Sequence, residues 1–429
     1  MLVTRAKPRL VFISPVFLFP NDAGGKIRTT NILRGMKGGA FEITLVSVAT
    51  GDQTQRWAAE ISGVCDEFIS WKPVAERPKW LRAVDLLDTL PVNVTADRTP
   101  NGAAAVHSVA SSSEVDVIVF DFVHSAVLWP ARLPCASVCF THNVEAEIFF
   151  RHAQKATDPF RRWLWSSQHH KMERFEREVL ARFTTVVAVS DRDARFFSDV
   201  YGVADTQAIP TGVDLDFFSW QEPPAVNAVT LPTVVFTGSM DWDANIDGVQ
   251  FFLKEVWPLV LVGQPNARFV VVGRNPPGAL MALARSMQNV EFTGFVDDVR
   301  PYVHAAHAFV IPLLVGGGTR IKAFEAMAMG CPIVSTSIGT EGLGAEAEVH
   351  FLERDGAQAM ADALLALLCN AGLRHTLSTH ARAIVEQRFG HHVAAKAFEE
   401  ICLHALTRHG RQCPERIVEL AKLKSLKHC

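Results

Sequence analysis

Short apolar runs alternate with longer stretches of helical periodicity along most of this chain. The runs Leu10–Ser14, Glu42–Ser47, Val115–Phe120, Ala136–Phe140 and Thr185–Val189 are followed, after a break, by Thr233–Thr237, Arg268–Val272, Asn289–Thr293, Ala308–Leu314 and Pro332–Ser335. Most are β-branched or aromatic and show little in/out alternation, the pattern of strands covered on both faces. Between them lie helical patterns over Arg28–Lys37, Phe160–Arg182, Asp191–Val200, Asn245–Leu261 and Thr319–Met329, and later over Ala357–Leu368, Leu373–Arg388 and Val393–Thr407. Strand–helix alternation of this kind predicts an α/β fold with doubly wound parallel sheets. The rhythm falters between Tyr201 and Pro232, where Ile209-Pro210-Thr211-Gly212-Val213-Asp214 leads into a loop rich in proline and small residues. A domain boundary is expected there. It divides the chain into residues 1–212 and 213–388, each a Rossmann-like domain, with helices over 389–429 for which a return onto the N-terminal domain is left open. Ligands on such sheets bind at the carboxyl ends of the strands, so two sheets facing each other would form a cleft.

A chain of 429 residues suits two cores rather than one. Its 48% hydrophobic and 20% charged residues describe a folded protein, and a net charge of −3 gives no reason to expect nucleic acid as a partner. Eight cysteines show no CxxC pair or zinc-like spacing and read as free thiols. Arg5, Lys7 and Arg9 ahead of the apolar run Leu10–Phe19 imitate a signal peptide, but Asn21-Asp22-Ala23-Gly24-Gly25 follows instead of a cleavage site. No run reaches the roughly 18–20 apolar residues needed to span a bilayer. The expectation is a cytoplasmic protein, with peripheral contact at the inner membrane surface left open. The basic stretch Arg411–Cys429 reads as a terminal helix or as such a contact.

The candidate chemistry is concentrated at Gly316-Gly317-Gly318-Thr319-Arg320-Ile321-Lys322-Ala323-Phe324-Glu325. A strand runs into glycines whose N–H groups can crowd a ligand, and the helix start that follows adds a positive dipole end. Arg320 and Lys322 would bind a diphosphate, and Glu325, one turn on, would accept hydrogen bonds from sugar hydroxyls. A plain turn into a helix with a surface Arg and Lys fits the same stretch. Gly24-Gly25-Lys26, after the first strand, is either a phosphate- or acceptor-facing loop or an ordinary turn, and it is no Walker loop. His142 and Asn143 fall at the end of strand Ala136–Phe140, where the cleft is expected, with His124 a weaker candidate. Asp241-Trp242-Asp243 matches a D-x-D metal pattern, but its place beside a helix start favours a dipole role and no metal is assigned. Arg161, Arg162, Trp163 and Trp165 open the long helix as an amphipathic face or as a membrane-interface cluster.

Taken together, Gly24-Gly25, Val189-Ser190, Ile209–Asp214, Gly238-Ser239-Met240-Asp241-Trp242, Asn289–Phe295 and Gly316–Gly330 resemble retaining glycosyltransferase family 4, of the GT-B fold, and within it bacterial transferases acting on surface or exopolysaccharide chains. The resemblance implies an acceptor-side N-terminal domain and a donor-side C-terminal domain. It also implies transfer from a nucleotide-diphosphate sugar to a hydroxyl of a glycan or lipid-linked saccharide, without a metal or other cofactor. Glu325 matches the second of two family glutamates spaced eight apart, the one that holds the ribose; the first falls at Gly317. Gly238–Asp243 lacks the family's Arg and Lys for the diphosphate, which shifts that duty to Arg320 and Lys322. His142 resembles the histidine that approaches the donor sugar, and Gly273, Arg274 and Val296 fall around the nucleotide base. Arg320→Ala is expected to lower turnover more than Lys322→Ala, since a guanidinium binds in a bidentate manner. The rival readings are a nucleotide-sugar epimerase of the same fold and a non-catalytic nucleotide-sugar binding or assembly protein.

Overall fold

The computed structural model describes residues 7–21, 24–74, 86, 88–112, 114–131, 133–156, 158–225, 231–315 and 320–412. They form two compact units, one made of the chain up to Gly212 together with the segment from Ala394, the other of Val213–Val393.

The first unit is built on a seven-stranded sheet of β1 (Arg9–Ser14), β2 (Glu42–Val48), β3 (Glu67–Trp71), β4 (Val117–Asp121), β5 (Ala136–Phe140), β6 (Thr185–Ala188) and β7 (Thr206–Ala208), in the order β3-β2-β1-β4-β5-β6-β7. Every pairing is parallel, with Leu10 opposite both Ile43 and Val117. Successive side chains of a strand enter opposite faces, so β1 sends Leu10 and Phe12 into one core and Val11 and Ile13 into another. Both faces are therefore apolar, which is why the strands read as unbroken hydrophobic runs. The helices that concern the site are α1 (Gly24–Met36), α2 (Glu145–Lys155), α3 (Pro159–Leu180) and α4 (Asp191–Asp199). Asp158 caps α3 by accepting from the Arg161 N–H at 2.7 Å, and Ser190 caps α4 by accepting from the Asp193 N–H at 3.1 Å.

The second unit carries β8 (Thr233–Thr237), β9 (Arg268–Val272), β10 (Val290–Gly294), β11 (Ala308–Ile311), β12 (Ile333–Ser335) and β13 (Leu352–Glu353), again all parallel, in the order β10-β9-β8-β11-β12-β13. Helices α5 (Asp243–Phe251) and α6 (Ile321–Ala328) follow β8 and β11. The last described helix, α7 (His391–Gln412), opens in the second unit, but its body belongs to the first. There Ala395, Phe398, Ile401, Cys402, Ala405 and Leu406 join the core of Leu10, Phe12 and Phe140, with Phe398 5.0 Å from Phe140. A Cβ on Gly35 would lie 2.4 Å from that of Ala395, so α1 and α7 touch only because residue 35 is glycine.

Several expectations need correction. Gly24 and Gly25 are the first residues of α1 rather than a loop ahead of it. The strand expected to reach Leu314 stops at Ile311, because Pro312 has no N–H to continue the ladder. The helix expected over Asn245–Leu261 is interrupted by a wide turn at Phe252–Val256, just ahead of Pro258. Strands β3, β7 and β13 were not anticipated; they are short, lie at or near sheet edges, and carry polar residues. The expected phosphate cradle Gly316, Gly317, Gly318 and Thr319, and the basic terminus from residue 413, lie outside the described residues.

Candidate active site

In each sheet the strand order reverses direction at one point, between β1 and β4 in the first and between β8 and β11 in the second. Connections leave such a point toward opposite faces of the sheet, which opens a crevice at the strands' carboxyl ends. Gly25, Asp121 and Gly238 follow or end the strands at these two places, and Arg274 and Val296 lie after the neighbouring strands β9 and β10.

In the first unit Asp121 ends β4 with no solvent exposure. Its Oδ1 lies 2.7 Å from His142 Nε2, and its Oδ2 accepts from Ser14 Oγ at 3.1 Å and from Thr29 Oγ1 at 3.1 Å. Buried Arg28, on the first turns of α1, faces Asp121 and Asp193; burial pushes its guanidinium down to about 10, so it stays charged at neutral pH. The Asp121 carboxylate thus faces a buried cation and, through its contact with Nε2, fixes the ring of His142. His142 Nδ1 is buried and has no hydrogen-bond partner among the described residues. The ring is stacked on Phe122, with centroids 3.9 Å apart and an interplanar angle of 20°. Phe122 adopts φ +64°, a region that costs a side-chain-bearing residue about 1–3 kcal/mol. A Cβ on Gly25 would meet the Phe122 ring at 2.7 Å and His142 Nδ1 at 3.8 Å, so this glycine supplies room beside the imidazole. Gly24 has open space around it, and nothing steric demands a glycine there. Asn143 is exposed and donates to Glu145 Oε1 at 3.4 Å. His124 is bonded to Asp97, away from Asp121's hydrogen bonds; burial opposes its charge, yet Asp97 holds its net shift upward.

The segment bearing His142 is anchored by Glu176, whose run Glu173-Arg174-Phe175-Glu176-Arg177-Glu178 reads in the sequence as a solvated face with local ion pairs but which is itself fully buried. Helix α2 has no side-chain cap of its own at Val144; Glu176 of α3 accepts from the Glu145 N–H at 2.8 Å and the Ala146 N–H at 3.2 Å. Tyr201 donates to the same carboxyl at 3.0 Å. Burial pushes Glu176 up to about 8 despite these donors. A carboxyl raised on folding binds protons that the unfolded chain has released, so its contribution to stability is complete below about pH 4.5 and is lost as pH rises to about 8. Glu176→Gln should flatten the decline in melting temperature between pH 5 and 8. A wild-type profile already flat across that window would refute the assignment.

In the second unit Gly238 follows β8, and a Cβ there would come within 2.7 Å of Lys322 Nζ and 2.8 Å of Asn245 Nδ2. Asn245, buried on α5, donates to the Ser239 carbonyl at 2.8 Å and accepts from Lys322 Nζ at 2.9 Å. The ammonium also lies 4.2 Å from the Phe236 ring centre. Glu325, one turn along α6, is half-buried like Lys322. Burial pushes Lys322 down, against the pull of Glu325, and pushes Glu325 up, against the pull of Lys322. An anion arriving here would favour the lysine's charged form. Arg320 is 4% exposed, and its Nη2 donates to the Ile338 carbonyl at 3.1 Å. The lysine is thus set beside the Gly238 backbone, while the arginine also serves the turn after β12.

Gly273 follows β9, and a Cβ on it would fall 1.9 Å from the Gly238 carbonyl oxygen, so the loops after β8 and β9 lie together only with glycine there. Arg274 Nε donates to Asp241 Oδ2 at 3.0 Å, Asn275 Nδ2 to Oδ1 at 3.0 Å and Ser239 Oγ to Oδ2 at 2.7 Å. Asp241 of the D-x-D pattern thus ties the loop after β8 to the loop after β9, and Asp243 is the first residue of α5. Val296 packs against the core of this unit beside the exposed Phe295. No described helix is long and apolar enough to cross a membrane. The six described cysteines are free.

Comparison with known proteins agrees with this architecture. Residues 24–217 match the model described as Glycosyltransferase Family 4, and residues 231–370 match the one described as Glycosyl transferases group 1. The chain belongs to this glycosyltransferase family and has its GT-B fold of two parallel-sheet α/β domains. Among solved structures it resembles sucrose-phosphate synthase from Thermosynechococcus elongatus, with a TM-score of 0.64 and 16% identity over 94% of this chain and 100% of that one. It resembles Anabaena HepE in complex with UDP and glucose at a TM-score of 0.61 and 14% identity, covering 92% of this chain and 99% of that one. WaaG, a glycosyltransferase involved in lipopolysaccharide biosynthesis, gives a TM-score of 0.57 at 18% identity, covering 90% of this chain and 98% of that one. A 44.6 kDa protein in the cps region of Klebsiella pneumoniae is 26% identical over 118 residues, a match spanning 26% of this chain and 30% of that relative's length.

Proposed function

We propose that this protein moves a hexose-like unit from a nucleotide-diphosphate sugar to a hydroxyl of a glycan or lipid-linked saccharide in the building of a bacterial surface polysaccharide, with retention at the anomeric carbon and without a metal. The observation that carries the reading is the half-buried Lys322–Glu325 pair at the β8/β11 reversal, beside the Gly238 backbone. Lys322, with Arg320 behind it, stabilises the diphosphate as the bond from the sugar's C1 to its oxygen breaks. Glu325 accepts hydrogen bonds from the ribose hydroxyls, Gly238, Gly273, Arg274 and Val296 surround the base, and His142, beside Gly25, approaches the sugar. The acceptor hydroxyl gives its proton to the departing phosphate oxygen as its own oxygen bonds to C1 on the same face. Cationic side chains and a helix start do here what a metal does elsewhere. The UDP complex of HepE and the cps-region relative support a nucleotide donor and a surface-glycan product.

Calorimetric titration with UDP, GDP and ADP should find one diphosphate that binds well, and Glu325→Ala should weaken it by about 30- to 100-fold, the worth of two or more polar contacts to a carboxylate. Unchanged affinity would remove Glu325 from the site. Incubating the donor sugar without acceptor separates the rivals: an epimerase alters the sugar, a transferase leaves it unaltered until a glycan extract is supplied, and a binder transfers nothing.

A further inference from the structure

We propose that the start of α3 docks the first unit on an anionic membrane surface, with Phe160 and Trp163 entering the interface. At the start of α3 these two rings stand 67% and 63% exposed, with centroids 6.0 Å apart. Their spacing of three places both on one helical face. Trp165, two residues on, turns inward and packs against Phe149 and His152, so α3 has its own buried aromatic seam and the outer pair is surplus to it. Two bare aromatic rings at a helix start are poor solvent-facing residues, while an indole suits the boundary between headgroups and acyl chains.

Charge selects the surface. Residues 150–166 carry Arg151, Lys155, Arg161 and Arg162 against a single acid, Asp158, in a chain whose net charge is −3. Asp158 is engaged on the Arg161 N–H as the cap of α3. Arg162 donates to the Ala156 carbonyl through Nε at 3.1 Å and Nη2 at 3.0 Å, contacts that do not neutralise its charge. Arg151 is paired with Glu147 at 3.0 Å, and Arg161 is exposed. The start of α3 therefore combines exposed aromatic rings with cationic residues, the composition that anionic headgroups attract. A protein partner would need roughly 1,000 Å² or more of matched surface, far beyond two side chains at a helix start; a bilayer needs no matched shape.

The test is co-sedimentation with vesicles of phosphatidylcholine containing about one third phosphatidylglycerol, against vesicles of phosphatidylcholine alone. The wild-type chain should partition at least about tenfold better onto the anionic vesicles. Phe160→Ser with Trp163→Ser, and separately Arg161→Glu, should each lower that partition by at least about tenfold. Melting temperature should not change, since all three side chains are exposed. The readout needs no turnover, so it stands or falls apart from the transferase reading. Failure of the wild-type chain to sediment with anionic vesicles, or equal sedimentation of the variants, would overturn it. So would a dimer that forms without lipid and disappears in the Phe160→Ser/Trp163→Ser variant, which would assign the patch to a second copy of this chain.

Discussion

Asp121→Ala is expected to destabilise the first unit by about 3–5 kcal/mol, the cost of leaving a buried charge without its counterpart. The variant strands the buried Arg28 guanidinium and removes the partner of His142 Nε2 and the acceptor of the Ser14 and Thr29 hydroxyls. For a unit of this size the calorimetric transition should move down by roughly 10 °C. Asp121→Asn keeps the volume and an acceptor but not the charge, so it isolates the electrostatic part. If both variants melt with the wild type, Arg28 is compensated elsewhere and Asp121 has no structural role. Activity should fall in Asp121→Asn even at temperatures where it is folded, because His142 is then no longer oriented by a carboxylate.

Lys322→Ala is expected to lower kcat by about 10²–10³, the usual effect of deleting one group that stabilises charge developing in the transition state. The measurement is the initial rate at saturating donor and acceptor. Because burial holds the lysine below its ordinary value, its charge in the free protein declines as pH rises through the neutral range. Diphosphate affinity should therefore decline with it, and in Lys322→Ala that pH dependence should vanish. Arg320→Ala behaves differently: with its guanidinium buried against the Ile338 carbonyl, its loss should reduce both turnover and melting temperature. A Lys322→Ala variant of wild-type rate would remove the lysine from the diphosphate.

The parallel sheets were legible in the sequence because buried strands announce themselves as apolar runs, and Ala136–Phe140, Thr233–Thr237 and Arg268–Val272 have the ends expected of them. Edge strands were not, since β7 consists of Thr206, Gln207 and Ala208, a segment no apolar criterion selects. At the site, Lys322, Glu325 and His142 were legible from residue type and position after a strand. Their supports were not. Asn245 read as a helix-start residue, yet it binds Lys322 across 77 positions of chain. Glu176 read as one charge on a solvated face, yet it is wholly buried under the start of α2. One signal was available: Asp121 closes the otherwise apolar run Val-Ile-Val-Phe, and an acid in that setting calls for a counter-charge.

The route of the chain through α7 has a consequence for how the protein is made. Phe398, Ile401 and Leu406 complete a core begun by Leu10 and Phe12 some four hundred residues earlier. A ribosome that has delivered everything up to Gly212 has delivered a lobe with an open apolar trough, and must translate the entire intervening lobe before the plug arrives. Nascent chains should accordingly need a holdase until late in synthesis, and an isolated piece stopping at residue 212 should precipitate unless a peptide spanning 391–412 is added back.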